Sequence, residues 1–394
     1  MTARWLPALT CLLAVLTVSC AGDFRAVVIL PESGRLAHVG SEARKGIDLA
    51  LAKVNEGREV PLVLEFADDG SDPERALSEY ARAIESKALA VIGPVGGDAM
   101  ITCLSARDER DRSLTESNVA LISPWAPTTI TGRGFENAFR NHPTDTTETG
   151  RLSQFMRRDM TPRIKDLVLI SELSDYGRGY KAEFAQTFKR HQGTVESSMN
   201  FEPGITDEAA AELVAELKNR PGDGCLVVSQ GQDILTLIKA LRAIEYRGEV
   251  FTTSAFHHPE LISAAGTEAG DVFWVAPQWD PTKADDPPNP TKTEFVAAYE
   301  QAHGSKPGYW AAFGYDTVIA LAAGTDAAGG PYSSAIPSTL SSLNFEYPGV
   351  LGTARFDSSG NCAECPVAIY GISGGEVKDW LELSKMFSAS ERQG

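Results

Sequence analysis

The sequence predicts an α/β fold built as two doubly wound, parallel-sheet lobes. Three observations carry that expectation. From Arg25 to Gly97, apolar runs short enough for buried parallel strands alternate with helical patterns, and each junction has its own marker. The alternation breaks off near Asn141 and restarts at Asp166. A chain of 394 residues, 43% of them hydrophobic, can also bury a large core, and its size suggests two domains rather than one.

The first strand is Arg25-Ala-Val-Val-Ile-Leu30, broken by Pro31-Glu-Ser-Gly34. Ser41 opens a helix in which Ile47, Ala50, Leu51 and Val54 recur at helical spacing. A second strand, Leu62-Val-Leu-Glu-Phe66, runs into Asp68-Asp69-Gly70-Ser71-Asp72-Pro73. There Asp72 is an N-cap and Pro73 suits the first helical turn. A helix follows, then Leu89-Ala-Val-Ile-Gly-Pro94, the pair Gly96-Gly97, the strand Asn118-Val-Ala-Leu-Ile-Ser123 with Pro124-Trp125, and a last strand at Ala138-Phe139-Arg140. The polar, irregular Asn141-His-Pro-Thr-Asp-Thr-Thr reads as a crossover.

The second half repeats the scheme. Asp166 to Ser171, Cys225 to Ser229, Glu249 to Thr253 and Asp271 to Ala276 read as strands. Tyr180–His191, closed by Gly193, and Ile234–Tyr246 read as helices. The stretch Trp279 to Pro290 holds four prolines and reads as a second connection. Helical patterns follow at Thr291–His303, Tyr309–Ala323 and Ala335–Leu343, then a strand-rich end from Val350 to Val377.

Composition narrows the function. A formal charge of −17 argues against nucleic acid and anionic membrane surfaces, which demand a basic face. The N-terminus is a targeting segment, with Arg4 ahead of an apolar stretch, Leu6 to Val18, too short to span a bilayer. Leu16-Thr-Val-Ser-Cys20 resembles a bacterial lipobox and would make Cys20 a lipidated first residue, while Ser19-Cys20-Ala21 also suits ordinary cleavage after Ala21. The lipoprotein reading is preferred, because a cysteine beside a signal sequence is otherwise hard to explain. Export permits disulfides. Cys362 and Cys365 sit in a polar turn, where a local disulfide fits better than a redox motif or a zinc half-site; Cys103 and Cys225 read as buried hydrophobes. His257 and His258 offer two metal-ligand types, but adjacent histidines before Pro259 are read as a capped loop. There is no HExxH, G-x-S-x-G, Walker loop or strand-bound G-x-G-x-x-G, so no enzyme and no cofactor are expected.

In detail the chain resembles the periplasmic substrate-binding proteins of ABC importers, specifically the type I, leucine-binding-protein-like class that takes branched-chain amino acids. The likeness is carried by Ser33-Gly34, Gly40, Asn55, Asp68-Asp69, Asp72-Pro73, Ile92-Gly93-Pro94, Asp175-Tyr176-Gly177, Tyr315-Asp316 and Gly352…Phe356-Asp357…Gly360, and covers nearly all of the mature chain. It implies two lobes joined by a three-strand hinge. After a signal peptide at 1–19, one lobe takes residues 24–142 with 278–346 and the other 143–277 with 347–386, leaving a tail at 387–394. It implies a solute-binding protein that closes on a small amino acid-like or carboxylate ligand and delivers it to a permease, held at the membrane by a lipid anchor alone. A sensor or regulator of the same fold is the alternative; no signalling helix or kinase region follows Gly394, which favours transport.

Ligands of open parallel sheets bind beyond the carboxyl ends of the strands. On that rule and the resemblance, the expected contacts are Gly96 and Gly97, whose backbone N–H groups suit a carboxylate at a helix start; Trp125, Ala126 and Thr128 in the serine-proline loop; Tyr176; Gln230 or its neighbour Gln232; and Phe256. Amino acid binders of this class carry a carboxylate in the loop that is Ser254-Ala-Phe-His-His258 here, and its place falls to Ala255 or Phe256. With Trp125, that departure points to an aromatic, acyl or otherwise less cationic carboxylate.

Overall fold

A computed structural model describes residues 24–109, 117–125, 135–219, 222–285, 287–331, 334–373 and 376–384. Strands β1 (Arg25–Leu30), β2 (Val63–Asp68), β3 (Ala90–Ile92), β4 (Ala120–Ser123) and β5 (Ala138–Arg140) form a fully parallel sheet in the order β2-β1-β3-β4-β5. Next come β6 (Asp166–Glu172), β7 (Thr194–Phe201), β8 (Gly224–Val228), β9 (Glu249–Thr252) and β10 (Val272–Pro277), a small hairpin of β11 (Tyr347–Gly349) and β12 (Gly352–Ala354), then β13 (Val367–Ser373) and β14 (Glu376–Asp379). The second sheet runs β14-β13-β10-β9-β8-β6-β7, parallel except for its last two strands. The α/β expectation therefore holds, with one parallel and one mostly parallel sheet. Central strands such as β1 and β8 are buried on both faces, as continuous apolar runs require.

Helices α1 (Ala37–Asn55), α2 (Pro73–Glu85), α3 (Gly97–Glu109), α4 (Asp145–Gln154), α5 (Asp175–Arg190), α6 (Asp207–Val214), α7 (Gln232–Ala243), α8 (Pro259–Ala265), α9 (Pro290–His303), α10 (Tyr309–Ala327) and α11 (Ile336–Leu340) connect and cover the sheets. Asp72 caps α2 by accepting from the N–H groups of Glu74 and Arg75 at 2.8 and 3.1 Å, with Pro73 in the first turn as expected. Asn289 caps α9 in the same way. Four elements depart from expectation. Strand β7 and helices α6 and α8 were not anticipated, and the expected crossover is partly helical, because the Thr144 hydroxyl accepts from Thr147 N–H and starts α4.

Helix α10 is buried almost throughout, which explains its lack of a polar face. It lies against α1 at unusually close range. A β-carbon on Gly46 would stand 1.9 Å from the Ala311 carbonyl oxygen, and one on Gly314 would stand 2.4 Å from that of Ala43. Backbone meets backbone here, so no side-chain rotation relieves the clash. Gly46→Ala is expected to lower stability by about 1–3 kcal/mol, measured by denaturant unfolding; an unchanged midpoint would contradict the packing.

The chain passes between the sheets three times, after β5, after β10 and after β12. The crossings lie side by side. Arg140 N–H donates to Gly360 O (2.8 Å), Cys362 N–H to Arg140 O (2.7 Å) and Gln278 N–H to Pro366 O (2.8 Å). Cys362 and Cys365 are disulfide-bonded within the third crossing, and Cys103 and Cys225 are buried thiols.

Candidate functional site

The loops leaving the carboxyl ends of the two sheets face each other across one seam. From the first sheet come Pro31–Leu36 after β1, Gly93–Gly97 after β3, and Pro124-Trp125 after β4. From the second come Leu173–Tyr176 after β6, Ser229–Gly231 after β8 and Thr253–His258 after β9. Gly96 adopts φ 107°, a conformation that favours glycine, and lets the chain turn into α3 at Gly97. Immediately after it, Asp98 reaches over the seam. Its Oδ1 accepts from the N–H groups of Asp175 and Tyr176 at 2.7 and 3.2 Å, supplying the start of α5 with a carboxylate. Burial raises the Asp98 pKa, and those two hydrogen bonds oppose the rise.

Aromatic rings fill the middle of the seam. Trp125, 4% exposed, meets Tyr176, 3% exposed, edge-on at 5.8 Å, and meets Trp310 of α10 at 5.0 Å. Trp310 also contacts Tyr309 at 4.3 Å and stacks on His142 at 5.7 Å. Hydroxyls tie this cluster to the β9 loop. Tyr176 donates to Thr253 Oγ1 at 2.8 Å, and Tyr309 donates to Ser254 O at 2.8 Å. Burial pushes both phenols up, so they remain neutral donors.

Two polar contacts also cross the seam. Arg35 donates to Glu172 Oε2 at 3.1 Å and Gln230 Oε1 at 3.2 Å, with Asp233 at 4.0 Å. The Glu172 side chain is fully buried and also accepts from Ser174 and Ser229 hydroxyls at 2.5 and 2.7 Å. Elsewhere, His258 Nε2 lies 3.2 Å from Glu42 Oε2 of α1, and His38 meets the His258 ring edge-on at 4.8 Å. Burial, aided by His258 and Arg35, lowers the His38 pKa to about 4. His258 also caps α8 through Nδ1. No group of three or more metal-ligating side chains occurs among the described residues.

The expected site residues thus divide. Gly96, Gly97, Trp125, Tyr176 and Gln230 all lie at the seam, and Gln230 pairs directly with the opposite sheet. Phe256 does not: it is fully buried, edge-on to Trp274 at 5.1 Å in the core of the second sheet, because the short turn after β9 aims it inward. It is withdrawn as a contact. Ala126, Thr128 and Cys20 lie outside the described residues. The sequence reading missed Arg35, His38, Asp98, Glu148, Glu172 and Trp310. Two of these had a local signal: Arg35 directly follows the Ser33-Gly34 pair, and Asp98 follows Gly96-Gly97.

The profile described as periplasmic binding protein matches residues 24–376. A Leu/Ile/Val-binding protein homologue from Brucella melitensis biotype 1 is 23% identical over 351 residues, covering 85% of this chain and 90% of its own. Among solved structures, a leucine-binding protein from Thermotoga maritima superposes with a TM-score of 0.79 at 21% identity, covering 90% of this chain and 97% of its own. A solute-binding protein of an ABC transporter from R. palustris, in complex with benzoate, gives 0.76 at 20% identity, covering 91% and 96%.

Proposed function

This chain belongs to the periplasmic binding protein family, and on that premise we propose that it is the extracytoplasmic solute-binding component of an ABC importer. It is a binding protein, as its relatives are, and not an enzyme. The observation that carries the transport reading is the convergence of strand-end loops from both sheets on one seam, with Trp125 of the first against Tyr176 of the second. Residues 24–142 with 278–346 act as one lobe, residues 143–277 with 347–386 as the other, hinged at the three adjacent crossings. In the closed form the aromatic rings touch, so a guest is admitted by parting the lobes. A ligand shifts that equilibrium only by its preference for the closed state.

The leucine-binding protein and the benzoate-bound solute-binding protein of the same fold support a small amino acid-like or carboxylate solute as the guest. Its carboxylate sits at the start of α3, at Gly96 and Gly97, on the N–H of Gly97, the Gly96 N–H being given to Trp125 O at 3.3 Å. Trp125, Tyr176 and Gln230 line the remainder. The protein is exported by its N-terminal segment, anchored through lipid on Cys20, and presents its closed form to a permease.

Titrating L-leucine, L-phenylalanine and benzoate while following tryptophan emission tests this reading, since Trp125 and Trp310 both lie at the seam. Saturable emission changes with at least one probe are expected, and Trp125→Ala will weaken that binding roughly tenfold or more through lost apolar contact. Silence toward all three, with nothing co-purifying by mass spectrometry, would count against a solute-binding role.

A further inference from the structure

The loop after β9 brings no carboxylate to the seam, and Phe256 is turned away from it. A carboxylate reaches the same place from a different element. Glu148 lies in the first turns of α4, set by the Thr144 cap, and only 2% of it is exposed. Its Oε2 accepts from Ser254 Oγ at 3.1 Å, and its buried Oε1 has no partner in full hydrogen-bond geometry, the Tyr180 hydroxyl being the donor that lies against the carboxyl. Among the described residues no lysine, arginine or histidine forms an ion pair with it.

What surrounds Glu148 is phenolic and aromatic. Tyr176, Tyr180 and Tyr309 all feel its charge, and Asp145 adds a second negative group nearby. Arg140, the cation that acts on it, bonds Asn361 of the third crossing. One ring further out, His142 Nε2 and Trp310 Nε1 are also buried without hydrogen-bond partners. Burial, with Asp145, pushes the Glu148 pKa up to about 8. An isolated carboxylate in such surroundings is costly, and a cation placed against it recovers much of that cost. Aromatic faces add their own attraction for an ammonium group.

We propose that Glu148 is the counter-charge for a protonated amine on the ligand, which makes the guest an amino acid rather than a simple carboxylic acid. The inference rests on the solute-binding reading and replaces the expectation of a less cationic ligand, whose basis was the missing carboxylate at residues 254–258. The ammonium sits between Glu148 and the rings of Tyr176 and Tyr309, on the same carbon as the carboxylate held at Gly96 and Gly97.

The test is calorimetry on the full mature protein with two matched pairs: L-leucine with 4-methylpentanoate, and L-phenylalanine with 3-phenylpropanoate. Within a pair the probes differ in the amine. The wild type is expected to prefer the amine-bearing member of at least one pair on the order of a hundredfold or more. In Glu148→Gln, which keeps the side-chain shape, that preference collapses towards one. Equal affinity for both members, or a preference that survives in Glu148→Gln, overturns the role of Glu148 and leaves the solute-binding reading standing. Heat from none of the four, and none from benzoate, overturns both. Should Glu148→Gln fail to fold, Glu148→Asp draws the carboxyl back by one methylene and must still cut the preference.

Discussion

Replacing Arg35 with methionine is expected to hold the protein open and weaken solute binding by roughly a hundredfold. Arg35 leaves the first sheet just after the Ser33-Gly34 turn and donates to Glu172 and Gln230 of the second. It retains about a quarter of its side-chain exposure, whereas the Glu172 side chain has none. Closing the seam without the guanidinium therefore buries a carboxylate whose remaining partners are two serine hydroxyls. Losing one member of such a pair costs about 3 kcal/mol, the lower end of the buried range because Arg35 is partly solvated. That penalty falls on the closed state alone. The open state, with Glu172 hydrated, is untouched. The radius of gyration of the unliganded variant should rise, and calorimetric affinity should drop by the factor above. Arg35→Met combined with Glu172→Gln removes the orphaned charge and should recover much of the loss. An unchanged radius and affinity in Arg35→Met would mean that this pair does not govern closure.

The frame of the molecule was legible from Arg25 onward because its central strands are buried on both faces, and burial leaves an unbroken apolar run that sequence displays. The cap of α2 was legible for a related reason: Asp72-Pro73 is local chemistry, decided within a few residues. Strand β7 was not, because Thr194–Phe201 is an edge strand whose mostly exposed, polar residues obey no alternation. Nor was α4, since Asp145-Thr-Thr-Glu-Thr-Gly150 has the composition of a loop and becomes helical through its cap and its packing on α5. The site divides in the same way. Glycines and aromatics at strand ends could be read from their positions. The pairing of Arg35 with Glu172, 137 residues away, leaves no local trace. The direction of Phe256 hangs on one short turn. Most consequential was Glu148, which stands in what looked like an irregular crossover, so the missing charge at residues 254–258 was read as a property of the ligand.

Folding stability is expected to be level between roughly pH 4.5 and 6.5 and to fall on either side, with Asp316→Asn flattening the alkaline limb. Asp316 is buried in α10, and both of its oxygens accept from one group, the N–H of Val350, at 2.8 and 3.0 Å. Burial pushes it up to about 8, as it does Glu148. Unfolded carboxyls ionise near pH 4. Between those values the folded chain holds protons the unfolded chain has released, so the stability these groups contribute is present below about pH 4 and lost as pH climbs towards 8. Histidines oppose this. Burial lowers His142 and His257 to about 3 and His38 to about 4, so acid protonates them first in the unfolded chain and removes stability from about pH 6.5 downward. Asp69, which burial raises to about 6, adds a third carboxyl, so three carboxyls and three histidines offset one another in the middle. Above pH 6.5 the unfolded histidines are neutral, and Asp316 and Glu148 act alone. Each of these two costs about 2 kcal/mol between pH 6.5 and 8. An asparagine at 316 keeps an oxygen for Val350 N–H and has no proton to lose, so at pH 8 it should unfold at higher temperature than wild type, while at pH 5 the advantage disappears. Thermal unfolding of both proteins, without ligand, at pH 5, 6.5 and 8 makes the measurement; parallel alkaline limbs would show that Asp316 is already ionised in the fold. Because Asp316 packs against β11 rather than the seam, its effect reads folding alone, whereas the same limb in Glu148→Gln would also carry the equilibrium between open and closed forms.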